Sequence, residues 1–570
     1  MRQLSAHDAS FLYADTRHAN ANVTLIHIYD QRTAPGGVVR FKSILQHIES
    51  RIAQLPLFRQ KLHRVPLDLD HPYWVDDEAF DLEYHVRHIA LPKPGDWRQF
   101  CIQASRIHAR PLDLSRPLWE IHVIEGLDGL LDLPEGTFAL LTKTHHAAID
   151  VESGSEITSL LHDLTATPPV PAPPPPWFPE APPGLARVLA RGVAHTVAAP
   201  VTAAGPVGRA WQAAAPAAVE FFGDLWKPRH ALPVTRFNAI VSPHRVFETR
   251  RFMLDELKAI RALAPEATVN DAVLAVCGGA LRRYLQGHGE LPRESLSAMA
   301  PFYVRRPGVA GGPGKAGGAG TGGKIGMGGR SLQRTTAGSD EPPQQLSWTR
   351  VDLGTHLVDA RQRLAHIQAQ TSSSEVIHRA VGARELVEAG HHLPAATLAL
   401  AGKWLGAWSG PGGLAGISGL GSLERRAPPA HCTITNVPGP QETLYLCGAR
   451  MTYFSAIMPI SDGNGLVFAV TSYDGRLIIS PTSCRELMPD PAVFARCVRD
   501  SFQELLALAR EPVAAAGPAS RKPRRKPQPH PQPSSQPAAA PKEPAPRRRA
   551  TPARRRASPA GRRSPTSPAG

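Results

Sequence analysis

Apolar residues recur along the chain at two different spacings, and the spacing separates strands from helices. Residues 22–30 (NVTLIHIYD) and 137–144 (TFALLTKT) are short, rich in β-branched and aromatic side chains and bounded by turn residues, which predicts strands. Phe41–Leu55, Phe100–Ala109, Ser155–Leu164 and Leu254–Ala264 repeat apolar positions every three or four residues and predict helices. A stronger helical pattern follows at Ala272–Leu285, with Asn270 placed to cap it. Gly465–Val470 and Leu477–Ser480 predict two more strands, joined by a hairpin turn at Tyr473-Asp-Gly-Arg476, and Pro491–Leu508 predicts a last helix. Strands and helices interleave in both halves, so the expected fold is mixed α/β, with helices covering the sheets on one face, in two domains.

Three stretches of biased composition mark the domain edges. Ten of the sixteen residues from Pro168 to Pro183 are proline, a run that favours extended polyproline II and cannot join a sheet ladder, so it reads as a spacer. Gly308–Arg330 holds twelve glycines in 23 residues, and ordering it would cost backbone entropy with no side chains to bury. A flexible surface insertion is expected over 308–345. The tail after Pro512 is rich in Pro, Ala and Arg and is expected to be disordered. The domains expected from these edges are 1–165, a linker with crossover helices at 166–235, 236–512, and the tail at 513–570. Within the linker, Leu185–Trp226 is Ala-rich and carries Trp211, Phe221, Phe222 and Trp226. It reads either as a helix packed across the two domains or as an amphipathic element resting on a lipid surface.

Charge and cysteine content narrow the picture. The 570 residues carry a formal +15, but residues 513–570 hold fourteen Lys or Arg against the single acid Glu543, which places +13 in the tail and leaves +2 for residues 1–512. The folding part is nearly neutral, which argues against a nucleic-acid-binding domain there. Clusters such as Arg547–Arg549 and Arg554–Arg556 suit non-specific binding to nucleic acid or to anionic lipid headgroups. The six cysteines form no C-x-x-C pair, so neither a zinc ribbon nor a thioredoxin-like site is indicated, and buried reduced thiols in a cytosolic protein are expected. The start of the chain has no apolar signal-peptide core, and no run of 18 apolar residues is present, which predicts neither secretion nor a membrane span.

The sharpest chemical feature is Thr144-His145-His146-Ala-Ala-Ile-Asp150-Val151, directly after an apolar strand. Adjacent side chains at a strand end point in opposite directions, so one histidine faces a cleft while the other faces the protein body. Imidazole is the natural proton acceptor near neutral pH. The chain has no G-x-S-x-G elbow beside it, so the proton to be removed belongs to a substrate, such as an alcohol or amine attacking an ester or thioester. A metal would need a third ligand, and the spacing of Asp150 from His146 does not suit a strand-to-loop position. Gly320–Lys324 lacks the spacing and following helix of a phosphate loop.

The histidine motif and five further motifs along the chain then carry a resemblance. His145-His146-x-x-x-Asp150 is similar to the H-H-x-x-x-D-G signature of CoA-dependent acyltransferases and peptide-synthetase condensation domains, with Val151 in place of the glycine. Leu4-Ser-Ala-His-Asp8-Ala-Ser-Phe11-Leu-Tyr13, Pro117-Leu-Trp-Glu120, Val269-Asn270-Asp271, Thr433-Ile-Thr-Asn436-Val-Pro-Gly-Pro440 and Ser472-Tyr-Asp-Gly475 resemble further elements of one branch. That branch is the bacterial wax ester synthase/acyl-CoA:diacylglycerol acyltransferase family, and the resemblance covers nearly all of residues 1–512.

The resemblance implies two chloramphenicol-acetyltransferase-like sandwich domains with an active-site channel between them. It implies transfer of a long-chain acyl group from acyl-CoA, as co-substrate, to diacylglycerol or a long-chain alcohol, with no cofactor. His146 would be the general base, His145 would pack behind it, and Asp150 would hold the loop through an arginine, for which Arg305 and Arg306 are candidates. Asn270 and Asp271 would line the substrate channel. For Asn270 two readings stand: an amide donating to the oxyanion, or a helix N-cap. The Pro438-Gly-Pro440 string reads as a rigid turn. The expected location is cytoplasmic, with peripheral attachment to a membrane or lipid inclusion. Val151 opens a second reading of the whole chain, a non-catalytic relative that binds acyl-CoA or a lipid surface, because a β-branched residue is disfavoured where a glycine's backbone freedom is needed.

Overall fold

A computed structural model describes residues 2–66, 69–128, 136–149, 157–168, 176–181, 183–184, 186–192, 194, 233–304, 345–372, 430–440 and 442–511. The chain divides into two compact units, Met1–Glu511 and Pro512–Gly570, and the described residues all belong to the first. The glycine-rich stretch, the basic tail, Asp150, Val151, Arg305, Arg306 and the aromatic residues from Trp211 to Trp226 lie outside the described residues.

The strands are β1 (Arg2–Gln3), β2 (Asn22–Asp30), β3 (Gln60–His63), β4 (Tyr73–Asp76), β5 (Val86–Ala90), β6 (Trp119–Leu127), β7 (Thr137–His145), β8 (Arg245–Phe247), β9 (Arg250–Met253), β10 (Ser297–Val304), β11 (Gln345–Asp352), β12 (Cys432–Pro438), β13 (Tyr445–Leu446), β14 (Ala449–Ile457), β15 (Val467–Tyr473) and β16 (Arg476–Cys484). They build three sheets. One has six strands in the order β13-β14-β2-β7-β6-β5, a second has seven in the order β11-β10-β12-β15-β16-β8 with β9 also on β16, and a small third is β1-β4-β3. Parallel pairs occur at β5/β6, β10/β12 and β12/β15, and the rest are antiparallel, which makes the fold a mixed α+β one.

Strand β7 is buried along its whole length, and its alternation shows why. Leu140 and Phe138 join Leu25, Tyr29 and Ile121 against Ile44, Ile48 and Ile52 of the Phe41–Ile52 helix. Ala139 and Leu141, on the other face, join Ile26, Ile28 and Ile124 against Phe100, Ala104 and Ile107 of the Trp97–Ala109 helix, together with Phe247 and Ile478 of the second sheet. The first sheet is therefore covered on both faces, not on one as the interleaving suggested. A central strand enclosed on both sides reads as a continuous apolar run, and TFALL is one. The second sheet has its own core, in which the helices Leu254–Arg261, Val269–Gly287, Ala360–Thr371 and Pro491–Arg510 contribute Leu257, Leu274, Leu364 and Phe494. Four cysteines, Cys101, Cys277, Cys432 and Cys484, are buried free thiols.

Two features join the halves. Strand β14, from late in the sequence, pairs antiparallel with β2, with Ile457 opposite Thr24 and Arg450 opposite Asp30, so the first sheet is completed by residues from the second half. The Asn-Val-Pro-Gly-Pro stretch is the other feature, and it is not the turn its composition suggested. Asn436, Val437 and Pro438 lie in β12, opposite Val470, Thr471 and Ser472 of β15. Gly439 then runs so close to its neighbours that a Cβ would stand 2.0 Å from the Ser472 carbonyl oxygen and 2.8 Å from Cδ1 of Phe454, which belongs to β14. The glycine thus permits contact between the two sheets. The predicted Asp-Gly hairpin is present, with positive φ at both Asp474 (48°) and Gly475 (70°), the requirement of a type I′ turn.

The proline-rich spacer is partly docked. Trp177 lies under the Arg59 guanidinium at 4.9 Å and edge-on to Phe80, and the Glu180 N–H donates to Asp76 at 3.1 Å. Replacing Gly439 by alanine forces β12 away from β15 and β14. The expected loss is about 1–3 kcal/mol of stability, read as a lower urea midpoint at unchanged slope.

Candidate active site

The histidine pair sits where β7 ends and a single 3-10 turn, His146–Ala148, begins. Its backbone is held from two sides. The His145 N–H donates to Leu118 O (3.0 Å), just before β6, and the His146 N–H donates to Ala21 O (2.8 Å), just before β2. The His145 side chain is 1% exposed, and both its ring nitrogens are in use. Nδ1 accepts the Ala147 N–H at 3.1 Å, so the ring hydrogen is on Nε2, which donates to Asp15 Oδ2 at 3.0 Å. A ring so committed orients its neighbour and has no nitrogen left for chemistry. His146 is half-buried on the turn, its ring stacked on Phe11 at 4.0 Å between centroids and 14° between planes.

The motif residues explain this placement. Ser5 caps the Ala6–Ala14 helix, its Oγ accepting the Asp8 N–H at 3.1 Å while donating to the Asp8 carboxylate at 2.6 Å. That cap sets the helix, which carries Phe11 to the imidazole and ends at Asp15. Leu4, Leu12, Leu118 and Ala147 bury one another beneath the turn. In the Pro-Leu-Trp-Glu element each residue therefore has a separate task. Leu118 packs under the turn, whereas Trp119 donates from Nε1 to Phe58 O (3.0 Å) and stacks on His85. Glu120 faces Lys143, which lies on the same face of β7 as His145.

The segment between that helix and β2 connects the pair to the second half. Asp15 Oδ1 accepts the Ala21 N–H (2.8 Å), and Asn20 and Asn22 donate to the carbonyls of Ala109 and Arg110, at the end of the Trp97–Ala109 helix. His18 meets Asp462 at 3.2 Å, Arg245 donates to His18 O at 2.8 Å, and Ala19 is buried in the core of the second sheet. Sequence reading did not single out Asp15, His18 or Asp462. The available signal was Asp15, an acid directly after a capped helix whose apolar face carries Phe11.

Below the pair lies a buried charge group. Glu120 Oε2 is 3.2 Å from His122 Nε2 and 3.5 Å from Lys143 Nζ, and Lys143 is fully buried. Burial would raise the Glu120 carboxyl, but the hydrogen bond with His122 and the Lys143 charge outweigh it and hold the group down to about 2. Burial brings the Lys143 ammonium down to about 8, with Glu120 opposing the shift.

Asn270 and Asp271 belong to a different element, and no hydrogen bond among the described residues links them to the histidine turn. The cap of the Val269–Gly287 helix is Thr268, not Asn270, because Asp271 closes a capping box with it. Asp271 is 2% exposed, with Oδ2 accepting from the Thr268 N–H (2.7 Å) and hydroxyl (2.8 Å) and Oδ1 accepting from Thr371 Oγ1 (2.8 Å). It ties two helices together. Asn270, one position earlier in that first turn, is half-buried with no hydrogen-bond partner for its amide among the described residues. No group of three or more metal-ligating side chains and no helix long and apolar enough to cross a membrane occurs among the described residues.

Comparison with known proteins places the chain in a family. Residues 4–273 match the wax ester synthase/diacylglycerol acyltransferase catalytic domain, and residues 344–506 match the C-terminal domain of the same enzymes. A provisionally named diacylglycerol O-acyltransferase of Mycobacterium tuberculosis (strain CDC 1551 / Oshkosh) is 30% identical over 524 residues, covering 89% of this chain and 90% of its own. The O-acyltransferase WSD of Acinetobacter baylyi is 29% identical over 456 residues, covering 77% of this chain and 83% of its own. The solved wax ester synthase/diacylglycerol acyltransferase of Marinobacter aquaeolei VT8 shares the fold, with a TM-score of 0.57 at 23% identity over 89% of this chain and 99% of that one. The chain belongs to the wax ester synthase/diacylglycerol acyltransferase family.

The Glu120 group generates a stability prediction. Glu120→Gln leaves Lys143 buried without its counter-charge and is expected to cost about 3 kcal/mol at pH 7 in urea unfolding. The folded carboxyl titrates near 2, below its unfolded value of 4.5, so its contribution is complete above pH 4.5 and is lost as the pH falls towards 2. The gap between parent and variant should close over that interval.

Proposed function

We propose that the chain is an O-acyltransferase that moves a long-chain acyl group from acyl-CoA to diacylglycerol, to a long-chain alcohol, or to both. The observation that carries this reading is the asymmetry of the histidine pair. His145 has committed both ring nitrogens to the protein, and His146 is held on the turn against Phe11. The acceptors named for the mycobacterial and Marinobacter relatives support the choice of substrates.

In this reading the two sandwich lobes, 1–165 completed by β13 and β14, and the remainder of 236–512, enclose the channel, with 166–235 linking them. His146 takes the proton of the acceptor hydroxyl as its oxygen attacks the thioester carbonyl. The tetrahedral oxyanion collapses, the carbon–sulfur bond breaks, and the leaving thiolate recovers the proton from the imidazolium. No covalent acyl-enzyme is formed. Asn270 donates its amide to the oxyanion from the second lobe, where the positive end of its helix adds to the effect. Asp271 positions Asn270 through the capping box, and Asp150 holds the histidine loop. Acceptors that are lipids bring the enzyme to a membrane or inclusion surface, which it meets peripherally, through the apolar residues near Trp211–Trp226 and the basic tail.

Purified protein given palmitoyl-CoA and diacylglycerol should release CoA thiol. His146→Ala should lower that rate by about 10²–10⁴, the usual worth of a positioned base. Parental turnover by this variant removes the base from the scheme. Asn270→Ala should lower kcat by about 10²–10³ with little change in thermal midpoint if it serves the oxyanion. The second reading, a binding protein without turnover, is favoured by Val151 at the motif's glycine position. Acyl-CoA binding without thiol release, with release appearing in Val151→Gly, would establish it in place of the first.

A further inference from the structure

The segment from Asp15 to Ala21 lies between the Ala6–Ala14 helix and β2, and it is folded on itself. The Thr16 N–H donates to Ala19 O (2.7 Å), the Ala19 N–H donates back to Thr16 Oγ1 (3.0 Å), and the Thr16 hydroxyl also reaches Ala19 O (3.3 Å). His18 stands at the tip of this closed turn. At its base is the histidine pair, since Asp15 accepts from His145 and Ala21 O accepts from the His146 N–H. The tip reaches into the second half of the chain. There Arg245 Nη2 donates to His18 O (2.8 Å), Ala19 is buried in the second core, and His18 Nε2 lies 3.2 Å from Asp462 Oδ2. A carboxylate only accepts, so the ring hydrogen of His18 is on Nε2.

The groups that hold the tip are fixed from their own side. Asp462 Oδ1 accepts the Val241 N–H at 2.9 Å. Its loop is clamped by three more bonds, from the Gly463 N–H to Ala239 O (3.2 Å), from Asn238 Nδ2 to Gly463 O (3.0 Å) and from Asn464 Nδ2 to Thr433 Oγ1 of β12 (2.9 Å). Arg245 opens β8 opposite Cys484 of β16 and is buried, with Asp462 and Glu486 as the acids that face its charge. Carboxylate and guanidinium therefore move with the second sheet. The His18–Asp462 pair is partly open to water, with side chains 36% and 18% exposed, and such a pair adds little to global stability. What it fixes is the place of the turn.

We propose that His18 and Asp462 are positioning residues for the acyl transfer: through their hydrogen bond and the Thr16–Ala19 turn, the second sheet sets where His146 stands. The kinetic consequence rests on the reading of His146 as the base. Both residues act through the turn, not on the reacting atoms. A reacting group misplaced by about 1 Å can lose about 10²-fold in rate, so a contact too weak to matter for folding is strong enough to matter for kcat.

The test is a double-mutant cycle in the full chain, H18A, D462A and H18A/D462A, with H18Q as the conservative variant and E290A as the control. E290A removes the two Arg236–Glu290 hydrogen bonds (2.7 and 2.6 Å), which lie in the second half and include no residue of the turn. CoA thiol release gives kcat and KM. Hydrogen exchange read by mass spectrometry follows the peptide spanning residues 138–149, which contains the His146 N–H. H18A and D462A should each lower kcat about tenfold, with KM for both substrates within about twofold and a thermal midpoint close to the parent's. The double variant should fall no more than about twofold below the slower single one, because both act through one contact. H18Q, whose amide can donate to Asp462 as the ring does, should stay within about threefold of the parent, and E290A within about twofold. Exchange in the peptide should quicken about threefold or more in H18A and D462A and not in E290A. Parental kcat in either single variant, losses that multiply in the double one, H18Q as slow as H18A, an equal loss in E290A, or parental exchange in both single variants overturns the proposal. A parent that releases no thiol removes the reading of His146 as the base, and exchange then decides the coupling alone: quickened exchange supports it and unchanged exchange overturns it. If D462A fails to fold, H18A and H18Q, which change a partly exposed side chain, carry the test by the same criteria.

Discussion

The hydrogen bond between His145 and Asp15 is the constraint on which the rest of the site depends. A buried imidazole must satisfy both nitrogens, and here one is satisfied by the turn that follows and the other by the end of the first helix. That double commitment fixes the position of the next residue without using it. The same carboxylate also holds Ala21 N–H, and Ala21 O holds His146 N–H, so helix end, strand start and turn form one closed set of polar contacts. Because Ala19 is buried in the second core and His18 meets Asp462, the set is anchored in both halves of the chain. A shift of one half against the other therefore acts on the histidines through their backbone.

Several motif residues act at one remove from the chemistry. Ser5 and Asp8 build a helix cap, Trp119 fills the first core, and Asp271 locks a helix start to Thr371. Trp119 and Asp271 satisfy polar groups that burial would otherwise leave unpaired at a large cost, while the Ser5 cap satisfies a free helix-end N–H at the surface. Such residues are tightly specified by geometry. Glu120 is the extreme case, since its removal would strand a buried ammonium.

Local signals in the sequence were sufficient for the elements that depend on neighbours along the chain. Strand 22–30 coincides with its observed limits, 137–144 lengthens by one residue, and the Asp-Gly turn has the two positive φ values its chemistry requires. Asn270 misled as a cap because Thr268, two positions earlier, has the same capping chemistry and alone has Asp271 at the reciprocal position. The Pro-Gly-Pro string misled because proline and glycine were read for backbone punctuation, whereas Gly439 is required by the closeness of Ser472 and Phe454. The pairing of β14 with β2 and the role of Asp15 arise between residues 130 to more than 400 positions apart, and a single sequence without periodic pattern between them carries no mark of such contacts. Of the candidate site, the pair itself and the motif next to its helix were legible; the acid that orders it was not.

The insertion of β14 beside β2 bears on how the protein is made. A chain emerging from the ribosome would hold β2 with one bare edge until residue 457 had been synthesised, more than 400 residues later. Exposed edges of this kind recruit other strands, and contacts of such long range form slowly. The first sheet cannot be completed during translation of its own half, so a truncated amino-terminal piece would carry an open hydrogen-bonding rim and would be a poor vehicle for the activity of the whole.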